Sequence, residues 1–233
     1  MTTPEQFIDW VKQILNIRKT PAVEKAAGIL GVTRLTIFRW LNGTMPPSKT
    51  ASLLMERIIR DNTDWLPERA AAFARQAHEG QTRKFTGAPY YTHVERVAAL
   101  VRERTDRPEL IAAAYLHDTM EDCGVTYETL AQHFGHAVAN IVHALTNDDA
   151  RKKQQGKVRY MIDKLTAMNP DALLVKLCDI LNNISETQSA NQARNYILIM
   201  DGLLSNPPPA WNKTHADIAA QILAAYRKNW TQE

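Results

Sequence analysis

Residues 108–122 read PELIAAAYLHDTMED, an apolar stretch that ends in four ionisable side chains. The apolar part has the composition of a buried helix, which we expect to continue through the polar end. Glu121 follows His117 by four residues and Asp122 follows Asp118 by four, so each pair is predicted to stack on one side of the helix. Burying several carboxylates together is costly unless a cation or hydrogen bonds compensate. The stretch therefore indicates a buried helix that carries a functional site.

Two further stretches carry residues of the same chemistry. His93 opens a helix in GAPYYTHVERVAALV, and Asp179 lies in the apolar helix LLVKLCDILNNI, with Asn183 one turn later on the same face. Two histidines and two aspartates form a mixed nitrogen and oxygen ligand set, which suits Mn²⁺, Fe²⁺ or Zn²⁺ better than Ca²⁺. A divalent cation held in this way has positions left for water and a phosphate oxygen, and it lowers the pKa of that water.

Each of these residues also has a purely structural explanation. His93 could lie in solvent at the start of its helix, and Asp179 could pair with Lys176. Glu121 and Asp122 could form a solvated helix end. Their occurrence together, in this order and at these gaps, favours one metal site over several separate explanations.

Nearly the whole sequence has helical periodicity, and the alternation typical of half-buried strands is rare. We therefore predict an all-α protein, with a small helix-turn-helix bundle over residues 1–61 and a larger helical bundle over residues 65–233. The polar run DNTD at 61–64 and the following Pro67, where a new helix would start, suggest this boundary. In the larger part, the predicted helices cover residues 67–78, 92–104, 108–120, 126–134, 136–144, 157–168, 171–185, 192–203 and 214–229. Loops are predicted at 80–89 and 147–156, and the basic run at 151–153 is expected to be solvated, although it could attract phosphate.

The composition is typical of a soluble globular protein, with 45% hydrophobic and 23% charged residues. No apolar run is long enough to span a bilayer, and we expect neither a signal peptide nor a membrane partner. Two cysteines, Cys123 and Cys178, fit a reducing compartment, so a cytoplasmic location is expected. The net charge of +3 is too small to indicate a nucleic-acid partner by itself.

Residues 23–42, VEKAAGILGVTRLTIFRWLN, have the pattern of two helices joined by a tight turn. Gly31 is predicted to end the first helix in the left-handed conformation, and Thr33 is predicted to cap the second. Ile37 and Trp40 share one face of the second helix, which is therefore expected to be buried.

This stretch resembles the helix-turn-helix of Cro and phage-repressor-type regulators. In that family the second helix lies in the major groove, and its N-terminal part reads bases. The resemblance implies double-stranded DNA as a partner and a homodimer as the working form. The DNA-binding residues that it implies are Thr33, Arg34, Thr36 and Arg39. A helical hairpin used only for packing or dimerisation is the alternative.

Four stretches, in order, resemble the HD hydrolase domain of Rel/SpoT proteins, especially the small stand-alone alarmone hydrolases. They are ARQAHEGQTRKFTGAPYYTH at 74–93, AAAYLHDTMED at 112–122, FGHAVANIVHALTND at 134–148 and LLVKLCDILNNI at 173–184. That family is all-α, holds one metal ion, usually manganese, and removes the 3′-pyrophosphate from (p)ppGpp. The resemblance implies that the larger bundle is an HD metal-dependent phosphohydrolase domain. The metal ligands that it implies are His93, His117, Asp118 and Asp179.

The resemblance also implies roles for other residues. Glu121 and Asp122 would orient or deprotonate the attacking water and receive its proton. The implied substrate-binding residues are Arg83, Lys84, Asn183 and Lys157. The planar guanidinium of Arg83 suits stacking on a nucleobase. His78 belongs to the same opening motif and is expected to have a structural role.

The sequence departs from this family at Ile180, Asn182 and Ser185, where the family often has a basic residue, a His or Tyr, and an Arg. These changes leave the implied metal ligands intact but remove positive charge near a polyanion. NADPH, the 3′-phosphorylated end of a tRNA and another alarmone therefore stay open as alternative substrates. A nucleotide-sensing transcription regulator and an antitoxin-type interaction protein are the alternatives to an enzyme.

Overall fold

The structure is a computed structural model that describes residues 3–15, 19–63, 66–209 and 211–230. Over these residues the chain is all-α, as predicted, and it contains no β-strand. A single isolated bridge in the described part joins Thr82 to Pro89. None of the described helices is both long enough and apolar enough to cross a membrane.

The described N-terminal residues form four helices. They are α1 (Pro4–Leu15), α2 (Lys19–Leu30), α3 (Arg34–Leu41) and α4 (Lys49–Thr63). Gly31, with a φ of 65°, separates α2 from α3. The Thr33 hydroxyl caps α3 by accepting a 3.2 Å hydrogen bond from the backbone N–H of Thr36. Ile37 and Trp40 are buried. The predicted left-handed glycine, helix cap and buried face are therefore confirmed.

The described residues from 66 onward form ten helices. They are α5 (Leu66–Ala77), α6 (Tyr91–Arg102), α7 (Pro108–Leu116), α8 (Thr119–Asp122), α9 (Tyr127–Leu145), α10 (Asp149–Gln155), α11 (Lys157–Thr166), α12 (Pro170–Glu186), α13 (Ala190–Ser205) and α14 (Lys213–Trp230). Helix α9 changes direction at Gly135, where φ is 82° and ψ is 161°. The predicted division of this segment into two helices is therefore confirmed.

The prediction of one continuous helix through the His-Asp pair is wrong. Helix α7 ends at Leu116, His117 and Asp118 lie in a turn, and α8 begins at Thr119. Side chains bind the carbonyls at this end: Oγ1 of Thr119 donates to the carbonyl of Leu116 at 2.7 Å, and Nδ1 of His117 donates to the carbonyl of Ala114 at 2.8 Å. Such bonds compete with the helical hydrogen-bond pattern, which explains the interruption.

The loop predicted at 147–156 is also wrong in part, because α10 occupies most of it. Asp148 caps this helix, since its Oδ1 accepts a 3.0 Å hydrogen bond from the backbone N–H of Arg151. Lys152 pairs with Asp149 at 2.6 Å. All residues of α10 are described and none is buried, so the helix has no apolar periodicity that could reveal it in the sequence.

Buried apolar side chains of the described residues form two clusters, a smaller one within α1–α4 and a larger one within α5–α14. Helix α12 lies centrally in the larger cluster, packed against α6, α7, α9, α13 and α14. Helix α1 also contacts α9. The predicted division into residues 1–61 and 65–233 stays a prediction, and positions 64 and 65 lie outside the described residues.

Candidate active site

His93 lies in the first turn of α6 and is buried. Its Nδ1 lies 2.6 Å from Oδ1 of Asn182. Its Nε2 lies 3.2 Å from Oδ1 of Asp179 and 3.5 Å from Oδ2 of Asp118. The contact with Asn182 therefore orients the ring so that Nε2 faces two carboxylates.

His117 is buried at the turn between α7 and α8. Because its Nδ1 donates to Ala114, the lone pair of a neutral ring lies on Nε2. This Nε2 lies 3.0 Å from Oδ2 of Asp118 and 3.7 Å from Oδ1 of Asp179. It nevertheless makes no hydrogen bond of good geometry. Leaving a buried polar atom unsatisfied is costly, whereas an imidazole nitrogen in this state can bind a metal.

Two aspartates complete the group. Oδ2 of Asp179 pairs with Nζ of Lys176 at 2.8 Å, and Oδ1 accepts a 2.6 Å hydrogen bond from Nδ2 of Asn183. Oδ2 of Asp118 accepts a 2.7 Å hydrogen bond from the hydroxyl of Tyr90. These partners hold the carboxylates in place, as hydrogen bonds around metal ligands commonly do.

The four side chains fit a divalent cation. His93, His117 and Asp179 offer ligand atoms that all lie within 4.8 Å of one another. Oδ2 of Asp118 lies within 3.5 Å of both Nε2 atoms. The unsatisfied Nε2 of His117 supports the same interpretation independently. The structure thus brings together all four predicted ligands, which we call the ligand cluster, and metal binding by this cluster is a proposal.

The ligand cluster sets the charge of its own members. Burial lowers the pKa of His117, but the negative charges of Asp118 and Asp179 close to its ring outweigh burial and raise it to about 10. The pKa of His93 is raised in the same way. Burial alone would raise the pKa of each aspartate, but the charge of His117 on Asp118 and that of Lys176 on Asp179 lower both pKa values well below the usual range. A cation that binds Nε2 of His117 must therefore displace a proton from that imidazole.

Asp118 and Asp179 line a cavity of about 230 Å³, which we call the cluster cavity. Lys152, Lys157 and Lys176 line it too. The carboxylates suit a metal cation, and the ammonium groups suit the anionic oxygens of a phosphate ester held next to that metal. Lys152 of the basic run therefore lies on α10 beside this cavity, so the predicted loop is wrong, whereas Arg151 and Lys153 are exposed as expected.

Glu121 and Asp122 line the cluster cavity from α8. Glu121 accepts hydrogen bonds from the backbone N–H and from the side-chain amide of Asn147, the latter at 3.2 Å. Partial burial raises the pKa of Asp122, and the negative charge of Asp118 raises it further. A carboxyl group with a raised pKa is a better proton acceptor and donor near neutral pH. The predicted pair thus reaches the site, although a turn separates it from His117.

A second cavity, of about 210 Å³, adjoins the first, because Tyr90 and Asn183 line both. We call it the loop cavity, since Arg83 and Lys84 line it from the loop between α5 and α6. Nη2 of Arg83 donates to Oδ1 of Asn183 at 2.8 Å, and the guanidinium carbon lies 5.4 Å from the centre of the Tyr90 ring. Three of the predicted substrate-binding residues therefore meet in one place.

Lys157, the fourth predicted substrate-binding residue, begins α11 and lines the cluster cavity. Its Nζ lies 5.5 Å from the centre of the Tyr196 ring. Partial burial lowers its pKa, and the charge of Lys152 lowers it further. Lys157 therefore lies on the side of the ligand cluster and away from the loop cavity.

Sequence reasoning missed Tyr90 and Glu186 and treated Asn182 only as a departure from the family pattern. Asn182 and Glu186 follow Asp179 by three and seven positions in α12, and this helical spacing is a signal that could have found them. No spacing rule points to Tyr90, because its contact with Asp118 spans 28 residues and depends on the tertiary fold.

Of the four candidate DNA-binding residues, Thr33 caps α3, and the other three lie within this helix. Thr33, Arg34 and Arg39 are exposed, and Thr36 is half-buried. The hydroxyls of Thr33 and Thr36 share a 2.9 Å hydrogen bond, and Arg34 pairs with Glu24 at 3.0 Å. DNA contact by this helix stays a prediction.

Comparisons with known proteins identify relatives of this site. The chain is similar to guanosine-3′,5′-bis(diphosphate) 3′-pyrophosphohydrolase of Aquifex aeolicus, with 37% identity over 126 residues that cover 50% of this chain and 17% of that protein. It is 38% identical over 116 residues to the bifunctional (p)ppGpp synthase/hydrolase SpoT of Escherichia coli, covering 48% of this chain and 16% of SpoT. The chain therefore spans about a sixth of the length of these two relatives. It is 35% identical over 120 residues to the Homo sapiens guanosine-3′,5′-bis(diphosphate) 3′-pyrophosphohydrolase MESH1, covering 50% of this chain and 66% of MESH1.

A solved structure and a family model agree with these relatives. The structure of a metazoan orthologue of SpoT superposes with a TM-score of 0.60 and 23% identity, covering 71% of this chain and 96% of that one, and this likeness shows the fold. The HD domain family model matches residues 70–198, so residues 1–69 and their helix-turn-helix interpretation lie outside the match. Because that match covers more than half of the sequence and includes all four residues of the ligand cluster, the chain belongs to the HD domain family.

Proposed function

We propose that this protein is a divalent-metal-dependent phosphohydrolase that removes the 3′-pyrophosphate from (p)ppGpp. One observation carries the proposal: two imidazole nitrogens and two carboxylates converge beside a cavity that also holds a second carboxylate pair and three lysines. The relatives supply the substrate, because their names describe pyrophosphohydrolases of guanosine-3′,5′-bis(diphosphate).

The ligand cluster is proposed to hold Mn²⁺, with Fe²⁺ or Zn²⁺ as alternatives. A divalent cation bound there supplies Lewis acidity to a phosphoryl oxygen and lowers the pKa of water. Tyr90 and Lys176 hold Asp118 and Asp179 in position, which keeps both carboxylates directed to one point.

Glu121 and Asp122 are proposed to handle the attacking water. Glu121, fixed by Asn147, would orient it, and Asp122, whose pKa is raised, would take its proton. Hydrolysis breaks the bond between the 3′ oxygen and phosphorus, and the proton is returned to that oxygen as it leaves.

The two cavities are proposed to bind different parts of the nucleotide. The loop cavity would take the nucleoside, with the base on the Arg83 guanidinium and Lys84 beside it. The cluster cavity would take the pyrophosphate, near Lys157 and Lys152. Asn183 lines both cavities, and it is proposed to contact the sugar-phosphate between them.

A nucleotide panel tests the function. Protein loaded with Mn²⁺ is incubated with ppGpp, pppGpp, NADPH and a 3′-phosphorylated tRNA, and the products are separated by ion exchange. We expect GDP and pyrophosphate from ppGpp, with activity lost in EDTA and in Glu121→Gln. If ppGpp binds but no 3′-phosphorylated nucleotide is turned over, the nucleotide-sensing regulator replaces the enzyme. Turnover of NADPH or tRNA alone would instead change the substrate.

DNA binding by α3 is a second proposed function, with an antitoxin-type protein contact as its alternative. Arg39 is exposed while Ile37 and Trp40 of the same helix are buried, so the polar face is available to a partner. Leu35 and Phe38 are 57% and 38% exposed, which fits contact with thymine methyl groups or with a second copy of the chain. A homodimer on two half-sites would be the working form.

A further inference from the structure

Glu186, the last residue of α12, lines the loop cavity, and Asn182 connects it to Nδ1 of His93. Its side chain is only 12% exposed. Oε2 accepts hydrogen bonds from Nε and Nη2 of Arg83 at 3.3 and 3.1 Å. Oε1 accepts from Nδ2 of Asn182 at 3.1 Å and also contacts Nη1 of Arg96. One carboxylate therefore binds donors from the α5–α6 loop, from α6 and from α12.

The bonds to Arg83 fix the orientation of its guanidinium. Two donors of that group point at Glu186, and Nη2 also donates to Asn183, so the plane of the group cannot rotate freely. The carboxylate also compensates the charge of Arg83. A fixed planar group with compensated charge suits an uncharged aromatic ring better than a phosphate.

The bond to Asn182 fixes the orientation of a side-chain amide. Because Nδ2 of Asn182 donates to Glu186, Oδ1 is the atom left to face Nδ1 of His93. An amide oxygen can only accept, so Nδ1 must carry the proton. A neutral His93 then has its lone pair on Nε2, which faces Asp179 and Asp118.

We propose that Glu186 is a positioning residue that sets both halves of the site: it orients Arg83 directly and fixes the ring of His93 through Asn182. The inference rests on the proposed function, because it treats His93 as a metal ligand and Arg83 as a nucleoside contact. In this proposal Glu186 acts through Arg83 and Asn182 and is not a metal ligand.

The test uses Glu186→Gln, which keeps the shape of the side chain and replaces one acceptor oxygen with a donor. If its oxygen stays on Arg83, the new amide group faces Asn182 and favours the opposite amide orientation there. The proton of His93 then moves to Nε2, which can no longer bind a metal. We expect Mn²⁺ affinity, measured from the electron paramagnetic resonance signal of free Mn²⁺, to fall about 10-fold.

Two double-mutant cycles separate the effect of Glu186 on His93 from its effect on Arg83. In an Asn182→Ala background, Glu186→Gln should cause no further loss of Mn²⁺ affinity. Any weakening of GDP binding that Glu186→Gln causes acts through Arg83 and is measured by calorimetry. In an Arg83→Ala background, the loss of Mn²⁺ affinity should persist, whereas the effect of Glu186→Gln on GDP binding should disappear. Arg96→Ala is the matched control, because Arg96 contacts the same carboxylate but its side chain is 61% exposed. Its removal should leave Mn²⁺ affinity unchanged.

The proposal is overturned if Glu186→Gln binds Mn²⁺ as the wild type does, or if the loss is equally large in the Asn182→Ala background. Circular dichroism confirms that each variant folds, and Glu186→Asp, which retains a carboxylate, should recover part of the affinity. A wild type that binds Mn²⁺ and GDP but does not hydrolyse ppGpp would refute the proposed function and leave the positioning role standing. A wild type that does not bind Mn²⁺ would overturn both.

Discussion

The hydroxyl of Tyr90 donates a 2.7 Å hydrogen bond to Oδ2 of Asp118, and the same side chain lines both cavities. Burial raises the pKa of Tyr90, and the charge of Asp118 raises it further, so the hydroxyl remains protonated and continues to donate. One side chain therefore connects the ligand cluster with the wall between the two cavities.

Tyr90→Phe removes this hydrogen bond and keeps the ring. We expect kcat/KM for ppGpp to fall about 10- to 150-fold, because a hydrogen bond to a charged acceptor contributes roughly 1.5–3 kcal/mol. Steady-state kinetics with saturating Mn²⁺ measures the change. Tyr91→Phe is the control, since Tyr91 follows in sequence and lines neither described cavity. Equal effects of the two substitutions would contradict the assignment.

Asp122→Asn keeps the size of the side chain and removes the proposed proton acceptor. We expect kcat to fall about 10²- to 10⁴-fold, with Mn²⁺ affinity retained, because Asp122 lies outside the ligand cluster. Kinetics and Mn²⁺ titration on the same preparation measure both quantities. Asp217→Asn, at an exposed position of α14 where Asp217 pairs with Lys213, should change neither. A loss of activity explained entirely by lost Mn²⁺ would assign Asp122 to metal binding instead.

Mn²⁺ affinity should rise with pH. An imidazole binds a metal only in its neutral form, and the carboxylates of the cluster raise the pKa of His117 to about 10 and also raise that of His93. Between about pH 6 and about pH 9 the apparent Kd for Mn²⁺ should therefore fall, and binding should release protons. Calorimetry in two buffers with different ionisation enthalpies counts those protons. A Kd that does not change with pH, together with no proton release, would show that the cluster is not the binding site.

The stability of the metal-free protein should depend on pH in the opposite direction. Because the folded-state pKa of His117 is above its unfolded value of 6.5, the stabilisation is complete below that pH and is lost as pH rises through about 10. The pKa values of Asp118 and Asp179 are lowered, so their stabilisation is present above pH 3.8 and is lost as pH falls further. Thermal unfolding in EDTA should show a falling Tm from about pH 7 to about pH 10, and Mn²⁺ should reduce that fall. A rising Tm over this range in EDTA would refute the argument.

Arg39→Ala tests the proposed DNA-binding helix. If Arg39 reads a base, the substitution should reduce discrimination between operator and non-operator DNA by about 1–3 kcal/mol. Wild-type affinity should also fall as salt increases, since phosphate contacts release counterions. Fluorescence anisotropy on labelled duplexes measures both effects. Affinity that does not respond to salt would favour protein contact by α3.

The parts of the fold that depend on local chemistry could be predicted from the sequence. Gly31 ends α2 with a positive φ, Thr33 caps α3, and Gly135 divides α9, each as expected from the residue type alone. Helix α10 was missed because its stability comes from the cap at Asp148 and from surface pairs, without an apolar face. The break after Leu116 was missed because side-chain bonds to backbone carbonyls leave no trace in periodicity.

The residues of the site also divide into those that the sequence predicted and those that only the tertiary structure revealed. The ligand cluster follows from residue type, order and spacing, and the structure brings its members together. The contacts of Glu186 with Arg83 and of Tyr90 with Asp118 span 103 and 28 residues, and they exist only because α12, α7 and the loop before α6 pack together. Supporting residues of this kind depend on tertiary packing, and a single sequence does not encode that packing in any local pattern.

The turn between α7 and α8 has a geometric consequence. Consecutive side chains of a regular helix diverge by about 100°. Here two residues adjacent in the chain, His117 and Asp118, bring Nε2 and Oδ2 to within 3.0 Å of each other. The dipeptide therefore presents two candidate ligand atoms side by side at the end of α7. Inserting one residue between His117 and Asp118 would move these two atoms apart. The same insertion in the surface helix α10 would leave the distance between them unchanged.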